Sequence, residues 1–307
     1  MKHKIFRSTD SNVSKFVFEK EAKNGNKPIA VEAVLYKYPT YKERTVICCS
    51  VQSGCPVGCT FCGTGMFFQR NLTCFEIVEQ VKTVLGYIDC DPSEIQKFQI
   101  MFMSMGEPFM NFEETETAIR MLHTIYPNAS LLISTSAPYP HTINRMQDLI
   151  TLSKDIDKVG LQFSVHESDD QNRKRLIPTK TCTLEQIGIL GERWAKAVGR
   201  KPFFNYCVHS GNSSDDDVAR LKKNFNPDVW KCTLSVICEK DQSMSSAIEN
   251  QLEVINGFAK SMRDVGYSVR VFNPAGQDDI GGGCGQLWYF QEWLNNNRKG
   301  KHGNSKG

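Results

Sequence analysis

The chain has 307 residues, of which 40% are hydrophobic and 23% charged, and its formal net charge is +3. That composition supports one large core or two ordinary ones and excludes a disordered chain, while so small a positive balance neither requires nor forbids a nucleic-acid partner. The opening "MKHKIFRSTDSNVSKF" has charge but no apolar run behind it, so it does not read as a signal peptide. No stretch approaches the roughly 20 apolar residues of a membrane-crossing helix. A cytoplasmic protein with no membrane partner is expected, in which the twelve cysteines stay reduced and clustered ones bind metal or do chemistry.

In chain order, residues 1–30 lack periodicity and read as a short lead-in. Strand candidates then alternate with amphipathic segments. "RTVICCSV" (44–51) is followed by the helix-like "CFEIVEQVKTVLGYI", where Val78, Val81, Val84 and Leu85 keep helical spacing. "FQIMFM" (98–103) precedes "FEETETAIRMLHTI", "SLLIST" (130–135) precedes "HTINRMQDLITLS", and "KVGLQFSV" (158–165) precedes "LEQIGILGERWAKAV". "PFFNYCV" (202–208) leads to "DDDVARLKKNF", with "NSSDDD" as a capping start. "CTLSVI" (232–237), "AIENQLEVINGFAKSMRDV" with Leu252, Ile255, Phe258 and Met262 at helical spacing, and "YSVRVF" (267–272) complete the series. Strands alternating with helices imply an α/β fold, a parallel sheet with crossover helices closing fully or partly into a barrel. The chemistry of such a barrel gathers at the carboxyl ends of its strands. Residues 31–290 are expected to form that domain, with 1–30 as lead-in and 291–307 as a loose basic tail.

"SVQSGCPVGCTFCGTG" (50–65) sets Cys55, Cys59 and Cys62 at C-x3-C-x2-C spacing, among Gly54, Pro56, Gly58, Gly63 and Gly65, which let the backbone turn tightly about a metal. Thiolates are the ligands of iron–sulfur clusters, and three of them leave one metal corner open for another molecule. A structural zinc with a distant fourth ligand, or a merely buried cysteine cluster, is the blander alternative. In "GGGCGQL", Cys284 sits in a glycine run, either as a nucleophile on an open loop or as an incidental cysteine. Cys48 and Cys49 must face opposite sides of their strand, one as core and the other towards the barrel interior. Cys74, Cys90, Cys182, Cys207, Cys232 and Cys238 have no ligand spacing and read as small buried hydrophobes.

The cysteine triplet after the first strand of a β/α chain resembles the radical S-adenosylmethionine superfamily. With "NLTCFEIVEQV", "MFMSMGEPFMNF", "LLISTS", "LQFSVHE" and "DDIGGGCGQL", the chain resembles the RlmN/Cfr family of radical RNA methyltransferases from about Glu32 to Leu287. The resemblance implies a partial (β/α)6 barrel, a 4Fe–4S cluster held by Cys55, Cys59 and Cys62, and S-adenosylmethionine on the fourth iron. Gly106, Glu107, Ser134, Ser164, Val165 and His166 match positions that bind this cofactor, with Glu107 suited to accept a charge-assisted hydrogen bond from its ammonium. Cys284 matches a cysteine that first receives a methyl group, and Cys48 one that resolves a protein–RNA adduct by forming a disulfide with it. Glu32, in "VEAVLY", matches a proton acceptor, although the match needs a small insertion, "YKYPTYKE". Carbons 2 and 8 of adenine are not nucleophiles, so a thiolate takes the methyl first and radical chemistry then joins that carbon to the ring. The implied activity is methylation of an adenosine ring carbon in ribosomal or transfer RNA, with carbon 2 ahead of carbon 8. A monomer served by a flavodoxin or ferredoxin as electron donor is expected.

Two features depart from the family. Its members usually carry a longer N-terminal accessory domain, whereas about 30 residues precede the core here, which opens the alternative of a peptide, nucleotide or small-molecule substrate. Thr233, another candidate cofactor contact, stands in "KCTLSV" where the family has an asparagine, and lacks that residue's paired donor and acceptor. A non-catalytic iron–sulfur sensor is a third class, and Cys48 and Cys284 weigh against it. RNA grip is expected from Arg298, Lys299, Lys301 and Lys306 of the tail or from "NRKRLIPTK" (172–180), unless these are solvated surface charge.

Overall fold

β1 (Lys2–Arg7), β2 (Val13–Lys20) and β3 (Ile29–Lys37) form an antiparallel meander that continues antiparallel into β4 (Arg44–Cys49). The structure, a computed structural model, describes residues 1–21, 29–65, 67–236, 244–272 and 280–281. After β4, a separate ribbon of β5 (Gln52–Gly54) and β6 (Phe68–Asn71) leads to α1 (Cys74–Leu85) and β7 (Lys97–Phe102). The helix–strand alternation then repeats through α2 (Phe112–Ile125), β8 (Ser130–Thr135), α3 (His141–Asp155) and β9 (Val159–Ser164). It continues with α4 (Asp170–Leu176), α5 (Leu184–Val198), β10 (Phe203–Val208), α6 (Asp215–Asn224), β11 (Lys231–Val236), α7 (Met244–Asp264) and β12 (Ser268–Val271). The strands β4 and β7 to β12 are successive parallel neighbours, giving one ten-stranded sheet in the order β1-β2-β3-β4-β7-β8-β9-β10-β11-β12. This is the expected α/β architecture: a partial barrel of six β/α units, extended by β12 at one edge and by the meander at the other.

Strand alternation divides the side chains between two layers. Ile47 and Cys49 of β4 and Phe204 and Tyr206 of β10 pack into the core under the helices, with Ile77, Val81 and Val84 of α1 and Ile187 and Trp194 of α5. Each side chain taken wholly out of water there contributes roughly 1.5–3 kcal/mol. Val46 and Cys48, like Phe203, Asn205 and Cys207, face the barrel interior instead. The pair Cys48 and Cys49 is thus divided as alternation requires. Helix starts are fixed by capping boxes at Thr73 with Glu76, Thr183 with Gln186 and Ser214 with Asp217, the last being the cap expected from "NSSDDD".

The lead-in is the main difference. In sequence, residues 1–30 read as a lead-in without periodicity, yet β1 and β2 are regular strands. The cause is burial of β2 on both faces, with Phe16 and Phe18 in the helix-side core and Val13 and Lys15 inside, so no apolar–polar alternation marks it. The insertion "YKYPTYKE" lengthens β3 and its turn without disturbing the pairing, which runs unbroken from Lys37–Thr45 to Val34–Cys48. Of the bland cysteines, Cys74, Cys182, Cys207 and Cys232 are buried and Cys90 half-buried, while Cys238 lies outside the described residues.

Candidate active site

The loop carrying Cys55, Cys59 and Cys62 is clasped at its base by the β5–β6 ribbon. Gly54 closes it at φ +77°, where a Cβ would stand 2.0 Å from the Phe67 carbonyl oxygen, and the Cys55 N–H donates to that oxygen at 2.8 Å. Inside the loop, Cys62 N–H donates to Cys59 O and Gly65 N–H to Cys62 O, both at 3.1 Å. From outside, the Leu176 carbonyl at the end of α4 accepts the Thr60 N–H at 3.0 Å, and Thr179 Oγ1 donates to the Pro56 carbonyl at 3.3 Å. "NRKRLIPTK" is therefore in part a brace for this loop, although Lys174, Arg175 and Lys180 remain exposed.

All three thiols are half-buried and close enough to act on one another. Burial first, and Cys62 second, push Cys55 up to about 12, against a partial pull from the backbone N–H groups of Val57 and Gly106. Cys59 is pushed up further by burial and then by Cys62 and Cys55. Among the described residues, no three His, Cys, Asp or Glu side chains converge on a point that one metal ion would fill. Around a single zinc the sulfurs would stand about 3.8 Å apart, whereas a four-iron cube holds each thiolate on its own corner. A buried cation faces the same loop: Arg173 is 1% exposed, lies near Cys59, and ion-pairs with no carboxylate among the described residues. Neighbouring thiols, N–H groups aimed at sulfur and an uncompensated cation fit an anionic iron–sulfur cluster.

The strand ends above the interior form the rest of this rim. Gly106, at φ +95°, follows β7; a Cβ there would sit 2.6 Å from Gln52 Cβ, and Gln52 Oε1 accepts the Glu107 N–H at 2.8 Å. Glu107 is 3% exposed. Its Oε1 accepts from Thr135 Oγ1 at 2.6 Å and Phe109 N–H at 3.1 Å, and its Oε2 from Ser136 N–H and Oγ, both at 2.8 Å. A carboxylate has about four acceptor sites, so all of them are filled by the protein. Burial pushes its pKa up and these donors offset part of the shift. Glu107 ties the end of β7 to the end of β8. In the described geometry it has no acceptor left over for an ammonium ion.

Arg173 does the same for the neighbouring loops. Its Nε donates to Val165 O at 3.1 Å, Nη1 to Thr181 Oγ1 at 2.6 Å and Cys182 O at 3.1 Å, and Nη2 to Ser136 O at 2.7 Å and Ser164 O at 3.1 Å. Ser164, Val165 and His166 leave the end of β9 on this clamp, and Val165 and His166 N–H groups donate to Asn205 O at 2.9 and 3.2 Å. His166 sits at φ +64° with its ring edge-on to Phe61 of the cysteine loop at 5.5 Å. Burial, with Arg173 adding to it, lowers His166 to about 3, so the imidazole is neutral. Ser134 Oγ accepts from Gln162 Nε2 at 3.2 Å. Thr233 lines the interior and pairs in register with Asn205 of β10, so an asparagine does stand at this level, one strand away.

Below the rim the barrel encloses a cavity of about 540 Å³, lined by Phe61 and Cys62 of the loop, by Cys48, Met101 and Ser104 on one side and by Asn205, Thr233 and Ser235 on the other. The β3–β4 register places Cys48 opposite Val34, which makes Glu32, two residues before Val34, the diagonal neighbour of Cys48 on the interior face. Glu32 is fully buried, and its carbonyl accepts Ser50 Oγ at 2.7 Å and Ser104 Oγ at 2.6 Å. Burial pushes the Cys48 thiol up to about 12. Cys284 lies outside the described residues, but Ile280, four residues earlier, packs against Val34 and Val46 with Cys48 alongside.

Comparison with known proteins bears on this arrangement. No protein-family model matches the chain. "Probable dual-specificity RNA methyltransferase RlmN" of Deinococcus deserti is 32% identical over 255 residues, 81% of this chain and 72% of that protein. The chain belongs to the RlmN family. The protein of the same name from Thermus thermophilus is 29% identical over 253 residues, 81% of this chain and 69% of its own length. A radical SAM methyltransferase from Sphaerobacter thermophilus superposes with a TM-score of 0.71 at 27% identity, covering 92% of this chain and 80% of that one.

Radical SAM methyltransferases use a 4Fe–4S cluster and S-adenosylmethionine, and the chemistry of the three-cysteine loop fits such a cluster. Lys15, Gln52, Arg173 and Asn205 were not singled out from sequence as parts of such a site. Arg173 carried the only available signal, as a basic residue close after the fourth predicted strand end, and it reads there as RNA grip or surface charge. No helix among the described residues is long and apolar enough to cross a membrane.

Proposed function

We propose that this chain methylates a ring carbon of an adenosine in ribosomal or transfer RNA, carbon 2 ahead of carbon 8, as a cytoplasmic monomer supplied with electrons by a flavodoxin or ferredoxin. Support comes from its RlmN relatives and, above all, from one observation. Glu32 and Cys48 are diagonal neighbours on the interior face, Cys48 and Cys62 both line the cavity, and Ile280 belongs to the apolar cluster that Cys48 packs against.

Cys55, Cys59 and Cys62 would hold the cluster, and Gly106, Ser134, Ser164, Val165, His166 and Thr233 would surround S-adenosylmethionine. When bound, these groups supply the radical chemistry that an unactivated methyl group requires. Glu107 and Arg173 act beneath them by fixing the loops that the cofactor would touch. Cys284, as thiolate, takes the methyl group. Glu32 accepts the proton of the substituted ring carbon; Cys48, as thiolate, then attacks the Cys284 sulfur, the bond from that sulfur to the methylene carbon breaks, and the carbon keeps the electron pair and takes a proton, so that a disulfide forms and the methylated base leaves. The neutral, buried Cys48 thiol keeps this second cysteine out of reaction until the adduct occupies the cavity.

The test is mass spectrometry of nucleosides from ribosomal and transfer RNA pools. The host lacks its own adenosine C-methyltransferase and expresses either this chain or Cys284→Ala. Methyladenosine carrying the label on carbon 2 or 8 is expected only with the intact chain. Its absence, with cluster and cofactor cleavage intact, moves the substrate away from RNA.

A further inference from the structure

The interior face holds a second charged group beside Glu32. Lys15 Nζ lies 3.3 Å from Glu32 Oε2, with the two side chains 3% and 1% exposed, and the ammonium stands 5.6 Å from the centre of the Phe6 ring. The β2–β3 register brings them together. Lys15 pairs with Val34 and Val17 with Glu32, so Lys15 and Glu32 are diagonal neighbours across β2–β3, as Glu32 and Cys48 are across β3–β4. Val34 is therefore flanked by Lys15 on one side and Cys48 on the other, with Glu32 one step towards the rim.

The groups facing Glu32 can be taken element by element. β2 contributes Lys15 and, on the other side of Val17, Glu19; β1 brings Lys4 opposite Val17 and β4 the Cys48 thiol, while β5 carries Gln52, Ser53 and Gly54 and nothing that titrates. α1 covers the opposite face of β3. Its Glu76 is engaged by Lys20 and Arg70, and its Glu79 by the N-terminal ammonium. Among the described residues the buried cation that ion-pairs with Glu32 is Lys15. A carboxylate out of water holds its charge only where a cation or several donors compensate it, and only the ionised form can take a proton.

We propose that Lys15 is a positioning residue for the methyl-transfer chemistry: it holds Glu32 ionised and aimed into the cavity, ready to accept the proton of the substituted ring carbon. This rests on the reading of Glu32 as proton acceptor. In that step the ring C–H bond breaks, its electron pair stays with the base, and an O–H bond forms on Glu32. Lys15 neither gains nor loses a proton.

The experiment has two arms that fail separately. Infrared titration of the purified full chain follows the protonated-carboxyl band that disappears in Glu32→Gln. In Lys15→Met this band is expected to persist to higher pH than in the unaltered chain, its midpoint raised by about one unit or more. In Lys15→Arg, which keeps the charge, it stays near the original midpoint. With cluster-loaded protein and RNA, the acid limb of product formation is expected to move up with the band in Lys15→Met and to return in Lys15→Arg. A band that titrates alike in the unaltered chain and Lys15→Met overturns the inference, as does an equal shift in Lys15→Arg, which would make the role structural. A shifted band together with full product formation by Glu32→Gln would instead overturn the reading of Glu32.

Discussion

Two buried carboxylates show how differently the rim and the interior face are built. Glu107 is compensated by four uncharged donors from Phe109, Thr135 and Ser136, all supplied by the strand-end loops it ties together. Glu32 is compensated by an ammonium ion from the next strand and stands diagonal to a thiol. The first arrangement spends every acceptor on structure. The second sets a carboxylate against a buried ammonium on the interior face. Residue type and burial are alike in the two cases, and the partners differ.

The sharpest way to break this contrast is Glu32→Gln, which should abolish methylated nucleoside while leaving cluster content and cofactor cleavage in place; retained product would make Glu32 a second strut. Glu107→Gln should act through the fold instead. Its amide faces Ser136 N–H and Oγ donor to donor, so unfolding free energy should fall by about 2–4 kcal/mol and cluster content with it. An unchanged denaturant midpoint would show that the four contacts carry little.

A smaller effect is expected from Gly106→Ala. The φ of +95° and the approach to Gln52 should cost about 1–3 kcal/mol, read as an earlier melting transition. A third carboxylate, Glu76 at the start of α1, sharpens the comparison, because it too is buried but faces two cations. Burial pushes its pKa up, but Arg70, Lys20 and the Thr73 N–H outweigh it and hold the group at about 2. Because the folded pKa lies below the ordinary value, its stabilisation is present above about pH 4.5 and lost as pH falls towards 2. Glu76→Gln should cost about 1–2 kcal/mol at neutral pH and almost nothing near pH 2, checked by denaturant melts at both.

The parallel half of the molecule was legible because each strand there is a short apolar run followed by a helix with its own period and cap. All seven strands from β4 to β12 that join the main sheet, and six of the seven helices, stand where the spacing placed them. The meander was not legible. β2 is covered on both sides, and Lys15, a buried charge on a strand, looks in sequence like any exposed lysine. α4 was missed for the same reason, since the residue that fixes it in place is Arg173. Likewise, "MFMSMGEPFMN" singles out Gly106 and Glu107 in sequence, but the filled acceptors of Glu107 depend on donors almost 30 residues away. The cysteine triplet needed no such partners, because its spacing is itself the geometry of the loop.

The most direct test of the central claim, that Glu32 and Cys48 act from one face on one intermediate, is adduct trapping. Cys48→Ala and Glu32→Gln are each loaded with cluster, supplied with S-adenosylmethionine, reductant and RNA, and run on a denaturing gel. Both variants are predicted to accumulate a covalent protein–RNA species that vanishes when Cys284→Ala is added to either. A gel with no such species from either variant, when cofactor cleavage proceeds, would contradict the account.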